Sequence, residues 1–225
     1  MKEGIAPMEH RNKRIGMSIF GVLACGLSVG LLRHAALGVD PFQSLVSGLG
    51  AVLPIHFGSL YVLVNCLLLL FSLVFDRRKI GLGTLINLFL LGYAVEFSEN
   101  VVKHLLPSPT LAVRLLLFLI GIVAICFSSA FYFTADLGVS TYDAVSLIWS
   151  ERQKRIPFSL CRVISDLVCV LLGLSLCLLA GYTAAQISGI LGVGTIITAF
   201  FMGPLIGVFK RRCAEPFLYG RSKTV

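Results

Sequence analysis

The chain has 225 residues, of which 57% are hydrophobic and only 13% are charged, and its net charge is +8. Its 19 basic and 11 acidic residues are too few to cover so much apolar sequence with a polar surface, which excludes a soluble globular domain. The basic residues stand in short clusters between apolar segments, a spacing that fits membrane orientation and argues against nucleic-acid binding.

Six segments are apolar enough to cross a membrane, which predicts an all-α membrane protein with six transmembrane helices. A spanning helix needs about 20 residues. Ile80–Val95 is shorter and must extend through Glu96, and Phe158–Gly181 is long enough only if Arg162 and Asp166 are tolerated inside it. The other four runs are uncharged and meet or approach the required length: Ile15–Leu32, Phe57–Phe75, Leu115–Ala135 and Ile187–Phe209.

A short helix is predicted after the first span and again after the fourth. In the first, Gly38 ends the span, Asp40 is placed to cap a new helix, and Pro41 stands where its missing N–H costs nothing. The second has the corresponding residues Gly138, Ser140 and Asp143. Each segment is too short to cross the bilayer, which favours an amphipathic interfacial helix, and a re-entrant helix is the alternative.

The sequence matches itself at a shift of 100 residues. This shift places residues 37–39 on 137–139, and after an eleven-residue insertion a shift of 111 places residues 81–84 on 192–195. Because each copy holds three spans, an odd number, the second copy enters the bilayer with the opposite orientation. We therefore expect a single membrane domain, residues 1–225, with two inverted three-helix repeats. The first repeat covers residues 14–98, the second covers residues 114–209, and residues 210–225 form a cytoplasmic tail.

The distribution of basic residues places both termini in the cytoplasm, because Lys and Arg near helix ends are retained on that side. With the N-terminus inside, the outer segments hold only Arg33, Lys103 and Arg114, and Arg162 lies within the fifth span. The cytoplasmic segments hold the other fifteen: Lys2, Arg11, Lys13, Arg14, Arg77, Arg78, Lys79, Arg152, Lys154, Arg155, Lys210, Arg211, Arg212, Arg221 and Lys223.

Four short motifs stand out along the chain: LGVDPF from Leu37, LGVSTYDA from Leu137, G-x-G-T from Gly81 and from Gly192, and Gly203 followed by proline. Together they resemble the YczE-like family of bacterial integral membrane proteins, which is related to the YitT group. The resemblance covers most of the chain. It implies a multi-pass protein of the bacterial cytoplasmic (inner) membrane and supplies no catalytic residues.

Polar groups inside the apolar spans form the candidate site, because an unpaired polar group is costly there. Arg162 and Asp166 are four residues apart on one helix and predict an ion pair, either structural or part of a substrate or proton site. We expect a polar cavity at the repeat interface, with simple hydrogen bonding between helices as the alternative. The candidate lining residues are Asn65, Asn87, Arg162, Asp166, Thr195 and Thr198.

No enzyme motif is found in the sequence, so we expect no enzymatic activity, catalytic residue or cofactor. The seven cysteines lie mostly in apolar runs without a C-x-x-C pair, which indicates buried thiols. His34 and His56 are expected near Asp40 on the outer side, but they lack the spacing of metal ligands.

The inverted repeat and the polar residues at membrane depth favour a small-solute secondary carrier or permease. The alternatives are a non-transporting membrane scaffold or helper subunit and a substrate-binding membrane subunit of an importer. The expected partners are the lipid bilayer and a small solute, with no nucleic acid, and a homo-oligomer stays open.

Overall fold

The computed structural model describes residues 10–77, 80–153 and 158–220, and every element in those ranges is helical. A π-helical turn, Lys210–Ala214, joins the last two α-helices. The α-helices are α1 Arg11–Ala35, α2 Pro41–Val52, α3 Phe57–Phe75, α4 Leu82–Leu105, α5 Leu111–Ala135, α6 Thr141–Gln153, α7 Phe158–Leu179, α8 Ala184–Ile190, α9 Val193–Phe209 and α10 Glu215–Tyr219.

Six helical segments of the described chain are long and apolar enough to cross a membrane, as the sequence predicts. They are α1, α3, α4, α5, the stretch Leu160–Leu179 of α7, and the α8–α10 segment. Large apolar side chains lie exposed on their outward faces, and Val74, Leu119 and Phe200 are 62–77% exposed. Such a surface requires lipid around it, so the chain is a multi-pass membrane protein.

Two span boundaries differ from the sequence prediction. The third span does not end near Glu96 but continues as α4 to Leu105, for 24 residues. The sixth apolar run is not one helix, because the chain breaks between α8 and α9 at Leu191 and Gly192. The break leaves the carbonyl oxygens of Gly189 and Ile190 free to accept hydrogen bonds from the segment after α1.

α1 and α5 form the centre of the bundle and run antiparallel. A Cβ atom on Gly21 would lie 2.9 Å from the carbonyl oxygen of Ser128, and one on Gly121 would lie 3.3 Å from the carbonyl oxygen of Ser28. The residue number rises along one helix as it falls along the other, which sets the antiparallel direction. Each glycine lets the facing backbone approach closely.

α4 packs on the opposite side of α1 and runs parallel to it. Gly26 faces Ala94, and four residues later Gly30 faces Ser98. The Ser98 hydroxyl donates a hydrogen bond of 2.8 Å to the carbonyl oxygen of Leu27. Gly26 and Gly30 therefore allow the close packing of α4 on α1.

The residues after α9 fold back onto the start of α1. Ala214 and Leu218 are buried, and Arg14 donates hydrogen bonds to the Ala135 carbonyl oxygen at 3.0 Å and to the Tyr219 hydroxyl at 3.1 Å. Residues 210–220 are thus a packed helical extension, where the sequence predicts only a tail. Seven basic residues of the orientation argument lie outside the described residues: Lys2, Arg78, Lys79, Lys154, Arg155, Arg221 and Lys223.

Candidate functional site

The turn before α2 is built by a left-handed backbone and an acidic cap. Ala36 and Gly38 have φ values of 50° and 110°, which redirect the chain after α1. Asp40 is the N-cap of α2, and its carboxylate accepts a hydrogen bond of 3.1 Å from the backbone N–H of Gln43. Pro41 occupies the first helical position.

The turn before α6 repeats this geometry 100 residues later. Asp136 and Gly138 have φ values of 51° and 109°. The Ser140 hydroxyl accepts a hydrogen bond of 3.1 Å from the backbone N–H of Asp143 and donates one of 2.6 Å to its carboxylate. The two matched segments therefore adopt the same backbone turn despite their different capping side chains.

The first turns of α2 and α6 meet inside the protein. Phe42 and Tyr142, equivalent under the 100-residue shift, stack with their ring centroids 4.9 Å apart and their planes 27° apart. Both side chains are buried. Further along α2, Gly48 packs tightly against α7. A Cβ atom on Gly48 would lie 2.7 Å from the carbonyl oxygen of Gly173. The starts of both helices are therefore enclosed by protein.

Beside this contact lie four residues that we call the central cluster: Tyr142, Asp143, Arg162 and Asp166. Arg162 forms ion pairs with Asp143 and with Asp166, the latter at 3.3 Å, and its guanidinium lies 4.4 Å from the Tyr142 ring centroid. The Tyr142 hydroxyl donates a hydrogen bond of 2.7 Å to Asp166. One cation thus faces two carboxylates, so the cluster carries an excess negative charge when both are ionised.

Two residues of this region that lie outside the six spans, Asp40 and Tyr142, have raised pKa values. Burial raises the pKa of Asp40 to about 6, and the charge of Asp166 adds to the rise, while the Gln43 N–H and Arg162 oppose it. Burial, followed by the charge of Asp166, raises the pKa of Tyr142, which keeps its phenol protonated as a hydrogen-bond donor. Asp40 is therefore a carboxyl that changes protonation near pH 6.

The two predicted asparagines, Asn65 and Asn87, belong to a second polar network next to the central cluster. The Tyr61 hydroxyl donates to Asn87 at 3.1 Å, and the Asn65 amide donates to the Tyr61 carbonyl oxygen at 2.8 Å. The Thr141 hydroxyl at the start of α6 donates to the Asn65 side chain. Asn65 and Asn87 are buried and contribute hydrogen bonds between helices, as the alternative interpretation predicts.

The predicted threonines lie elsewhere. Thr195 and Thr198 are buried, but their hydroxyls bond within their own segment, to the carbonyl oxygens of Ile190 and Thr195 at 3.2 and 3.0 Å. The six predicted lining residues therefore divide between the central cluster, the asparagine network and the α8–α9 junction. None of the six lines either of the two cavities described below.

The starts of α4 and α9 each form a hydrogen bond to the other half of the chain, and the two bonds are reciprocal. The backbone N–H of Gly83 donates to the carbonyl oxygen of Leu137 at 2.8 Å, and that of Gly194 donates to Leu37 at 2.7 Å. The Thr84 hydroxyl also donates to Val139 at 2.6 Å. The G-x-G-T and L-G-V motifs therefore join the two halves of the chain to each other.

The larger of the two cavities, about 460 Å³ in volume, was not predicted from the sequence. Its polar wall contains an ion pair between Arg33 at the end of α1 and Glu99 on α4, together with Ser47 and Gln186. In the sequence these charges are 66 positions apart, so only the parallel packing of α1 and α4 indicates that they meet. The prediction for Arg162 likewise omitted Asp143, which was assigned only to the helix start.

His34 and His56 have hydrogen-bond partners on or next to α4. His34 contacts the carbonyl oxygen of Leu106 at 2.9 Å, and His56 contacts Glu96 at 3.1 Å. His34 therefore meets the residue that follows α4, and His56 meets a carboxylate within α4. His56 and Glu96 line the second cavity, an open depression of about 370 Å³.

Comparison with known proteins places the chain in a family. A family model described as a family of unknown function, DUF6198, matches residues 12–211. The chain belongs to this family. It is 29% identical over 198 residues to the uncharacterised protein YyaS of Bacillus subtilis (strain 168), a match that covers 88% of this chain and 92% of that protein.

Two further relatives have similar coverage. An uncharacterised protein of Haemophilus influenzae (strain ATCC 51907 / DSM 11121 / KW20 / Rd) is 28% identical, over 88% of this chain and 83% of that protein. The uncharacterised membrane protein YczE of Bacillus subtilis (strain 168) is 24% identical, over 82% of this chain and 79% of that protein. These matches support the YczE-like resemblance. No solved structure matches the chain significantly.

Proposed function

We propose that the protein is a small-solute secondary carrier of the bacterial cytoplasmic membrane, built from two inverted repeats and without enzymatic activity. The observation that carries this proposal is the meeting of two short helices, α2 and α6, through the equivalent residues Phe42 and Tyr142. Secondary carriers place their sites at a repeat interface, where interrupted or short helices end inside the bundle. The buried first turns of α2 and α6 fit this arrangement and favour re-entrant helices.

The two sides of that contact differ in a way that suits alternating access. On the α2 side, Ser47 lies in the wall of the larger cavity, and on the α6 side, Tyr142 and Asp143 belong to the central cluster, which joins α6 to α7. The first-repeat equivalents of Asp143, Arg162 and Asp166 are Gln43, Val62 and Cys66, which cannot form such ion pairs. We assign the central cluster as the cytoplasmic gate of a carrier whose larger cavity opens outward.

Chemical labelling tests this function without knowledge of the substrate. Cysteine is introduced at Ser47, in the larger cavity, or at Ser146, which is buried on α6 one turn beyond Asp143. In vesicles of known orientation, a membrane-impermeant maleimide should label Ser47→Cys from outside and should leave Ser146→Cys unlabelled. The parent protein with its native cysteines gives the background.

Arg162→Gln should then open the gate and reverse both results. Ser146→Cys should gain labelling from the cytoplasmic side, and Ser47→Cys should lose labelling from outside because the two sides open alternately. Ser59→Cys, in the open second cavity, is the matched control and should be labelled equally in both backgrounds. If Arg162→Gln changes neither site, or only Ser146→Cys, the carrier proposal fails and a non-transporting scaffold is favoured.

A further inference from the structure

The wall of the larger cavity contains one positive and one negative side chain, Arg33 and Glu99. Arg33 and Glu99 form the ion pair described above, and their side chains keep 18% and 32% of their surface exposed. The volume of about 460 Å³ lies within the range of sites that bind small molecules. The pair is therefore partly buried yet accessible to a ligand in the cavity.

Arg33 is held in place by more than its carboxylate partner. Its Nη1 donates a hydrogen bond of 2.7 Å to the Ser47 hydroxyl, and its guanidinium lies 4.0 Å from the Phe57 ring centroid. A guanidinium has five N–H donors, and Nη2 makes no hydrogen bond to the described residues. A fixed cation with donors to spare is suited to bind a carboxylate.

The rest of the wall limits the class of ligand. A simple anion would bind Arg33 in place of Glu99 and leave the Glu99 carboxylate without a partner. A simple cation would bind Glu99 and leave Arg33 without a partner. Either result is unfavourable in a partly buried site. A zwitterion supplies both missing partners at once. The lining also includes apolar residues that can contact a hydrocarbon side chain: Ala36, Val39, Ile55, Phe57, Ala185 and Ile190.

We propose that this cavity binds a small zwitterionic solute of the α-amino acid class with an apolar side chain, its carboxylate on Arg33 and its ammonium on Glu99. The inference rests on the proposed carrier function and names the substrate class. The ion pair of the empty cavity then opens to accept the two ends of the solute, and Ser47 keeps the guanidinium in position.

Three probes of the same shape test this class in purified protein. L-leucine carries both charges, 4-methylpentanoate only the carboxylate, and 3-methylbutylamine only the ammonium. At millimolar concentration, L-leucine should raise the thermal unfolding temperature, while each singly charged probe should bind about tenfold more weakly or worse. Equal stabilisation by a singly charged probe, or none by L-leucine, overturns the inference.

Charge-neutral variants locate the site. Glu99→Gln should shift the preference to 4-methylpentanoate, and Arg33→Gln should shift it to 3-methylbutylamine, since each keeps one charge free for its ligand. If either single variant fails to fold, the double variant Arg33→Gln/Glu99→Gln removes both charges and should lose the preference for L-leucine. Glu96→Gln, in the second cavity, is the matched control and should bind L-leucine as the parent does.

Binding and carrier function can fail separately. Retention of the L-leucine preference in the double variant would place the ligand elsewhere and overturn the inference, whatever the labelling of Ser47→Cys and Ser146→Cys shows. Conversely, a charge-dependent L-leucine response combined with unchanged labelling in Arg162→Gln would retain the binding site and reject the carrier function.

Discussion

Arg162 balances the carboxylates of two different helices. Asp143 is in the first turn of α6 and Asp166 is one turn along α7 from Arg162 itself. Removal of one carboxylate leaves the guanidinium with the other, whereas removal of the guanidinium leaves two carboxylates facing each other. The cost of a substitution therefore depends strongly on which member of the cluster is changed.

We expect Arg162→Met to destabilise the folded protein by about 2 to 3 kcal/mol, because it leaves two partly buried carboxylates unbalanced. Asp166→Asn should cost less than about 1 kcal/mol, since Asp143 still pairs with Arg162 and Tyr142 can still hydrogen-bond the amide. Thermal unfolding in detergent measures both changes. The triple variant Arg162→Met/Asp143→Asn/Asp166→Asn should recover stability relative to Arg162→Met, and a larger loss in Asp166→Asn than in Arg162→Met would contradict this charge balance.

The raised pKa of Asp40 predicts a dependence of stability on pH. Between about pH 4 and about pH 6 the folded protein holds a proton on Asp40 that the unfolded chain has released, so this residue makes the fold more stable as pH falls through that window. Above pH 6 both states are ionised and the cost of the buried charge is constant. Asp40→Asn keeps the helix cap and removes the charge.

Asp40→Asn should therefore be more stable than the parent at pH 7, by up to about 3 kcal/mol, and should match it near pH 4. Unfolding temperatures measured from pH 4 to pH 7.5 give the comparison. Asp76→Asn serves as the control and should leave the dependence between pH 4 and pH 6 in place. The same pH dependence in Asp40→Asn would assign it to another group.

At the scale of helices, the starts of α4 and α9 depend on glycines that face a carbonyl group of the other repeat. A Cβ atom on Gly81 would overlap the carbonyl oxygen of Leu137, and one on Gly192 would overlap that of Leu37. The reciprocal hydrogen bonds of Gly83 and Gly194 hold these backbones together and leave little room for adjustment.

Gly81→Ala and Gly192→Ala should each cost about 2 kcal/mol or more, because the added methyl group must separate the joined segments. Gly207→Ala, also on α9, is the matched control. Nothing lies within 4 Å of its Cβ position, and the gain in helix propensity should stabilise it by up to about 1 kcal/mol. Unfolding temperatures in detergent give the order. Equal losses at the three positions would exclude steric overlap as the cause.

The helices themselves could be predicted from local sequence, and their mutual contacts largely could not. Hydropathy identifies the six spans, and the Asp40 cap follows from a short pattern at the start of α2. The break at Gly192 was not predicted, because the sequence around it is a continuous apolar run. The carbonyl groups freed by the break accept hydrogen bonds from the backbone near Gly38, and local sequence does not show that these segments meet. The pairing of Arg33 with Glu99 needs the register between α1 and α4, which no local pattern contains.

At the scale of the whole molecule, three observations support the inverted-repeat proposal. α1 and its counterpart α5 are antiparallel and cross at equivalent glycines, Gly21 and Gly121. The loops before α2 and α6 share their backbone angles, and each is bonded to the opposite repeat. A two-fold axis in the membrane plane relates helices in this way, whereas an axis along the membrane normal would leave α1 and α5 parallel.

Reporter fusions test the resulting topology. With both termini in the cytoplasm and three spans in each repeat, a reporter after Asp76 or after Val225 should give a cytoplasmic signal, and one after Pro107 should give an external signal. The reason is the concentration of fifteen basic residues on one side against three on the other.

As a control on the charge argument, Arg33→Gln removes one of the three outer charges and should leave all three signals unchanged. A cytoplasmic signal after Pro107 would contradict the inverted orientation, since the loop between Leu105 and Leu111 connects the two repeats and must lie opposite both termini.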